Sequence, residues 1–101
     1  MTRNQIPGIS ARLHDEFFPE ASWGLGWSVL GSKKALRDGS LRSAQSFDHG
    51  GAGGVLLWVD PVYELVGAYF SVVLRQLPLF DNPEWNADLF MNMATAAVVD
   101  V

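Results

Sequence analysis

The chain runs from Ser46-Phe47-Asp48-His49 through Gly50-Gly51-Ala52-Gly53-Gly54 straight into Val55-Leu56-Leu57-Trp58-Val59-Asp60-Pro61. Between His49 and Gly54 only His49 and Ala52 carry a β-carbon. The backbone there is nearly bare, and a neighbour can lie directly against its N–H groups. The apolar run that follows fixes this backbone to a buried strand. Val55, Leu57 and Val59 on one parity, and Leu56 and Trp58 on the other, form the pattern of a strand covered on both faces. A bare backbone on a rigid sheet is one way of presenting N–H donors to a developing oxyanion.

The rest of the chain organises around that join. Residues 1–20 are expected to be irregular, broken by Pro7-Gly8 and Pro19, with Phe17-Phe18 as an anchor. Residues 23–30 read as a first strand with Trp23, Leu25 and Trp27 on one face. Residues 31–40, with Lys33, Lys34, Arg37 and Asp38-Gly39, read as a solvated charged loop. A strand over 41–52 then bends at the glycines into a second strand at 55–59. Asp60-Pro61 turns the chain, Pro61 suiting the turn's second position, and residues 64–74 return as a long strand. Asn82, Pro83 and Glu84 mark a helix start. Trp85, Leu89, Met93 and Ala96 then recur at helical spacing, the stripe expected to lie on the sheet. The fold class is therefore α+β: strands between 23 and 74 form an antiparallel sheet of about four strands, with a helix at 82–99 packed across it.

Composition agrees with a packed globular piece: 49% of the 101 residues are apolar and four are Trp, too rich for disorder. With no Cys, disulfides and thiolate sites are excluded and the redox compartment is left open. A net charge of −4 and the lack of a basic stripe argue against nucleic-acid binding. No apolar run approaches the ~20 residues that span a bilayer, and no secretory leader is visible from Met1. Compartment is not legible.

His49-Gly50-Gly51-Ala52-Gly53-Gly54, Leu56-Leu57-Trp58-Val59-Asp60-Pro61 and Leu65-Val66-Gly67-Ala68-Tyr69, preceded by Trp23-Gly24-Leu25-Gly26-Trp27, resemble the third signature and following hairpin of β-lactamase-related serine hydrolases. These are the class C-like esterases, transesterases and D-aminopeptidases built on the penicillin-binding-protein fold. The resemblance runs from Ile6 to the C-terminal helix and implies a partial β-lactamase/transpeptidase-like fold, with residues 1–101 as the C-terminal part of one domain. It also implies an acyl-enzyme mechanism acting on a small ester, amide or β-lactam-like substrate, without a cofactor or a metal.

Two parts of the family pattern are missing. No Ser is followed three residues on by Lys, so the S-x-x-K nucleophile and its base are absent. Tyr69-Phe70-Ser71 fits the letters of the Tyr-x-Asn/Ser element but lies downstream, inside an apolar strand. By resemblance, His49 stands at the first signature position, which supplies charge and hydrogen bonds near the nucleophile. Ala52 stands where a backbone N–H forms half of the oxyanion hole. Gly50 and Gly51 complete the cleft strand, and Trp23 and Trp27 are candidates for an acyl pocket. Where relatives carry Lys then Thr, His49-Gly50 removes a permanent charge and a hydroxyl donor, which favours an esterase over an efficient β-lactamase.

Plainer readings stand beside these. A His beside glycines is by default a turn histidine, and the four Trp are by default core. Asp48 points to the opposite strand face from His49, as a structural or solvated carboxylate. His14 beside Asp15 and Glu16 is a surface His and makes no zinc motif. Three functions follow: the C-terminal portion of a serine hydrolase, inactive alone; a non-catalytic binding or structural module derived from that fold; or a small enzyme pairing His49 with Asp48 or Asp60. With helical cover for one sheet face only, the chain is expected to self-associate or to associate with a missing N-terminal segment.

Overall fold

The computed structural model describes residues 1–13, 16–33, 41–51, 54–71 and 87–98. In chain order the elements are β1 (Ala11–Leu13), β2 (Glu16–Phe18), β3 (Ser28–Val29), β4 (Phe47–Gly51), β5 (Val55–Asp60), β6 (Leu65–Tyr69) and α1 (Ala87–Ala96). β3-β4-β5-β6 form a four-stranded antiparallel sheet in sequence order, and β1 and β2 form a separate antiparallel pair. The fold is α+β, with one C-terminal helix on a four-stranded antiparallel sheet, as the sequence leads one to expect.

Period two sorts β5 into two faces. Leu56, Trp58 and Asp60 are buried, whereas Leu57 is exposed and Val55 and Val59 are half-buried. The helix covers the first face: Leu56 and Trp58 pack with Ala87 and Met91, with Tyr69 and Ala94 at the margin. Phe90 stands edge-on to Trp58 at 5.6 Å between centroids and 5.8 Å from Tyr69, each ring pair adding about 0.5–1.5 kcal/mol beyond area burial. Trp58 is paired across the ladder with Gly67. A β-carbon at Gly67 would overlap the six-membered ring of Trp58, so the indole occupies the space above a strand position that only Gly can fill.

The helix presents a different stripe from the one the sequence suggests. Ala87, Met91 and Thr95 are the buried residues, while Leu89, Met93 and Ala96 face outward; Trp85 lies outside the described residues, as do the expected cap and first turn at Asn82, Pro83 and Glu84. Both stripes have helical period. Phe90, held between Trp58 and Tyr69, decides the rotation in favour of its neighbours at 87, 91 and 94. Thr95 satisfies its own hydroxyl by donating to the Met91 carbonyl at 2.7 Å.

Other boundaries also move. Within residues 1–20, expected to be irregular, β1 and β2 pair through Ala11–Phe18, Arg12–Phe17 and Leu13–Glu16. Phe18 is the anchor there, and Phe17 is exposed. The strand expected over 23–30 is a tight turn flanked by a Trp23–Ser28 bridge, with β3 reduced to two residues. Gly26 at φ +82° makes that turn possible, and the Gly24 N–H donates to the Trp27 carbonyl at 2.8 Å. The strand expected over 41–52 begins only at Phe47. The expected loop at 31–40 is described only to Lys33, and Lys33 is buried rather than solvated. Of the strand expected over 64–74, β6 forms Leu65–Tyr69, and 72–74 lie outside the described residues.

Gly67→Ala should destabilise the chain by about 2 kcal/mol, because the added methyl has to displace a rigid, fully packed ring. Urea denaturation followed by Trp fluorescence measures the shift in midpoint; an unchanged midpoint would mean that the indole does not rest on β6.

Candidate functional site

β4 is paired with β5 along its whole length, from Phe47–Val59 to Gly51–Val55, but with β3 only through Phe47 and Asp48. Among the described residues, the other edge of His49–Gly51 therefore has no strand beside it. A β-carbon at Gly50 or Gly51 would touch nothing closer than 3.7 Å. These glycines are not forced by crowding, and they leave the strand face bare. The strand ends in a turn in which the Gly54 N–H donates to the Gly51 carbonyl at 3.1 Å, with Gly54 at φ +94°. Ser71 closes the base of that turn, its Oγ donating to the Gly54 carbonyl at 2.7 Å. Ala52, the expected oxyanion donor, lies outside the described residues.

His49 sits opposite Leu57, on the face away from the helix, and its ring is exposed. Its Nδ1 lies 2.8 Å from the Gly26 carbonyl oxygen. Trp27 stands edge-on to it, 6.3 Å between centroids and 83° between planes, and is itself braced edge-on by Phe47 at 5.1 Å. The structure thus brings His49, Gly50, Gly51 and Trp27 together at one sheet edge. Trp23 is placed differently: Lys33 Nζ lies 5.5 Å over its ring, and its carbonyl accepts from the Gln5 N–H. The bridge pairs Trp23 with Ser28, so Trp27 stands next to the residue opposite Trp23.

The two carboxylates considered as partners for His49 are committed elsewhere. Asp48 pairs with Trp58 across the ladder and so faces the helix side. Its Oδ2 accepts from Arg42 Nη1 at 2.7 Å, and the guanidinium is buried. Asp60 is fully buried. It accepts from the Ser43 N–H at 2.7 Å and Oγ at 2.6 Å, and from the N–H groups of Val62 and Tyr63 at 3.1 and 3.4 Å. Four donors thus satisfy the buried carboxylate oxygens. Asp60 also explains why β4 starts late: it holds Ser43 in a turn, closed by the Ser46 N–H donating to the Ser43 carbonyl at 3.1 Å. The small-enzyme reading through Asp48 or Asp60 has no geometric basis.

Lys33 and Arg42 are the residues that a reading of sequence passes over. Lys33 Nζ donates to the Ser22 carbonyl at 3.2 Å and to Ser28 Oγ at 3.0 Å, tying the Trp23–Ser28 turn to the segment behind it. Nothing in composition marks either as buried; the available signal for Arg42 is its six-residue spacing from Asp48 across a turn. Among the described residues no three His, Asp or Glu side chains come together as a metal site, and no helix is long and apolar enough to cross a membrane. No protein-family model, curated protein or solved structure matches this chain.

Asp60→Ala should cost about 3 kcal/mol, since it strands the Ser43 hydroxyl and several N–H groups as well as removing a charged acceptor. His49→Ala should stay within about 1 kcal/mol, because one exposed hydrogen bond is lost. Comparing the two urea midpoints checks the division between a structural carboxylate and a surface imidazole; equal losses would contradict it.

Proposed function

We propose that this chain is the C-terminal part of a β-lactamase-related serine hydrolase, and that His49, Gly50 and Gly51 form the floor of its substrate cleft. The observation that supports the reading most is the half-paired strand β4. It is rigid on its β5 side, lacks a strand neighbour on the other among the described residues, and bears a signature-like His-Gly-Gly on that open stretch. A substrate laid along this edge meets backbone rather than side chains. The Ala52 N–H then serves as one donor of an oxyanion hole whose other donor belongs to the nucleophile. Losing one such donor costs about 2.7–4 kcal/mol in the transition state, so this edge supplies part of a catalyst. The reaction class is acyl transfer from a small ester, amide or β-lactam-like substrate, with the ester favoured because His49-Gly50 carries neither a fixed charge nor a hydroxyl.

The chain contains no S-x-x-K, which favours a second reading: a non-catalytic module that keeps the cleft floor. The coding sequence upstream of Met1 separates the two. An open frame carrying S-x-x-K and then Tyr-x-Asn supports the hydrolase reading, and a frame closed directly upstream supports the module.

Under either reading the 101-residue chain alone should neither turn over short-chain nitrophenyl esters nor take up a fluorophosphonate probe, for want of an activated Ser. Stoichiometric labelling of a Ser, with turnover, would refute this.

The sheet face opposite the helix bears on the same choice. Leu57, Val66 and Phe70 are 39, 67 and 78% exposed there, and the ladder sets Leu57 and Val59 beside Ala68 and Val66. A contiguous apolar patch of this kind is one that monomers rarely leave open. In the hydrolase reading it is covered by the rest of the protein, and the chain by itself self-associates at low micromolar concentration. Sedimentation showing a monodisperse, cooperatively folded monomer would favour the self-sufficient module instead.

A further inference from the structure

His49 offers two ring nitrogens, and the turn before β3 has already chosen between them. A carbonyl oxygen can only accept. The nitrogen 2.8 Å from the Gly26 oxygen therefore carries the proton. In a neutral imidazole one nitrogen donates and the other accepts, so the lone pair is on Nε2. This reverses the preference of free histidine, whose neutral form favours the proton on Nε2.

We propose that the Gly24–Trp27 turn is a positioning device that holds His49 as the Nδ1–H tautomer, so that the neutral ring presents Nε2 as an acceptor and favours a ligand group that donates, a hydroxyl or amide N–H, over a carboxylate. Three features make the arrangement specific. Gly26 sits at φ +82°, a conformation that side-chain-bearing residues avoid, and this aims its carbonyl at β4. Trp27 borders the imidazole edge-on, with Phe47 behind it, so the ring is hemmed in on one side while remaining open to solvent. The nearby carboxylates are engaged by Arg42 and by Ser43, and neither replaces the carbonyl as partner of Nδ1. Among the described residues Nε2 has no hydrogen-bond partner, which leaves it to a ligand.

For a cleft on this edge, the consequence is substrate selection. A carboxylate brought to Nε2 of the neutral ring meets a lone pair, whereas an alcohol or an amide N–H finds an acceptor. Placing the acceptor in a cleft rests on the hydrolase reading. The tautomer is a property of the chain itself, so its failure and that of the hydrolase reading are told apart by separate measurements.

The test is long-range proton–nitrogen NMR on the 15N-labelled chain carrying His14→Gln, which leaves His49 as the one imidazole, at a pH alkaline enough for a neutral ring. The expected spectrum has a pyrrole-type Nδ1 and a pyridine-type Nε2. The opposite assignment, or the averaged pattern of free imidazole, overturns the proposal. Gly26→Ala should move the pattern toward the free-imidazole preference. No atom lies within 4 Å of the added carbon, so the change acts through φ and the carbonyl; an unaltered tautomer in that variant would equally overturn it. Adding phenol as a hydroxyl donor should shift the Nε2 resonance of the neutral ring more than acetate does. A larger response to acetate would remove the selectivity.

Discussion

The packing of Trp58 against Gly67 is the contact on which the rest of the architecture depends. Trp58 is fully buried in the middle of β5, and its ring rests over the one position of β6 without a side chain. That placement creates the surface on which Phe90, Met91 and Ala87 seat the helix. Burying a side chain of this size contributes about 3 kcal/mol, more than any single hydrogen bond nearby. Trp58 Nε1 has no hydrogen-bond partner among the described residues, an arrangement that costs about 1–3 kcal/mol. The indole is therefore positioned by shape, with its polar handle sacrificed to the fit.

Around this apolar centre, charge is used as a clamp. Asp60 gathers four donors from two segments far apart in sequence, so the loop before β4 and the turn after β5 are fixed by one carboxylate. Arg42 reaches from that loop to Asp48 on β4, and the Asn92 side chain of α1 accepts the Leu41 N–H at 3.0 Å. Loop, strand and helix thus meet on one face. Breaking a buried pair is costly even where forming it gains little, so these contacts specify which segments pair more than they add stability. β4 emerges with its helix side occupied by polar anchors and its other side free for His49.

The sequence revealed the element order from β4 onward because β5 and β6 are local hydrophobic runs, with glycines before the first and Asp60-Pro61 turning the chain between them. It misplaced what depends on distant contacts. The helix stripe through Leu89 and Met93 is as periodic as the one through Ala87 and Met91; only Phe90, lodged between Trp58 and Tyr69 on two different strands, separates them. Trp23-Gly24-Leu25-Gly26-Trp27 alternates like a strand, yet Gly24 lets the Met1 carbonyl come close enough to accept the Leu25 N–H, and the positive φ of Gly26 turns the chain. Lys33 reads as a surface charge because burial of its ammonium is decided by carbonyls and a hydroxyl contributed from elsewhere. Of the candidate site, His49, Gly50 and Gly51 share β4 with Trp27 beside the imidazole, Trp23 stands across the turn from Ser28, and Ala52 lies outside the described residues.

The same turn connects the fold to the chemistry of the exposed edge. Had residues 23–30 continued as a strand, β3 would pair with β4 as far as Gly51, and the His49–Gly51 edge would be closed. By reversing at Gly26, the chain stops pairing after Asp48 and lays a carbonyl, rather than a ladder hydrogen bond, against the His49 ring. One glycine conformation thereby opens the strand edge and orients the imidazole beside it. An edge left open in this way is a liability for a sheet, and the chain limits it to three residues, two of them glycines flanked by a braced indole. The strand is thus shortened and bare along one edge while its helix side is anchored by the buried Arg42 guanidinium.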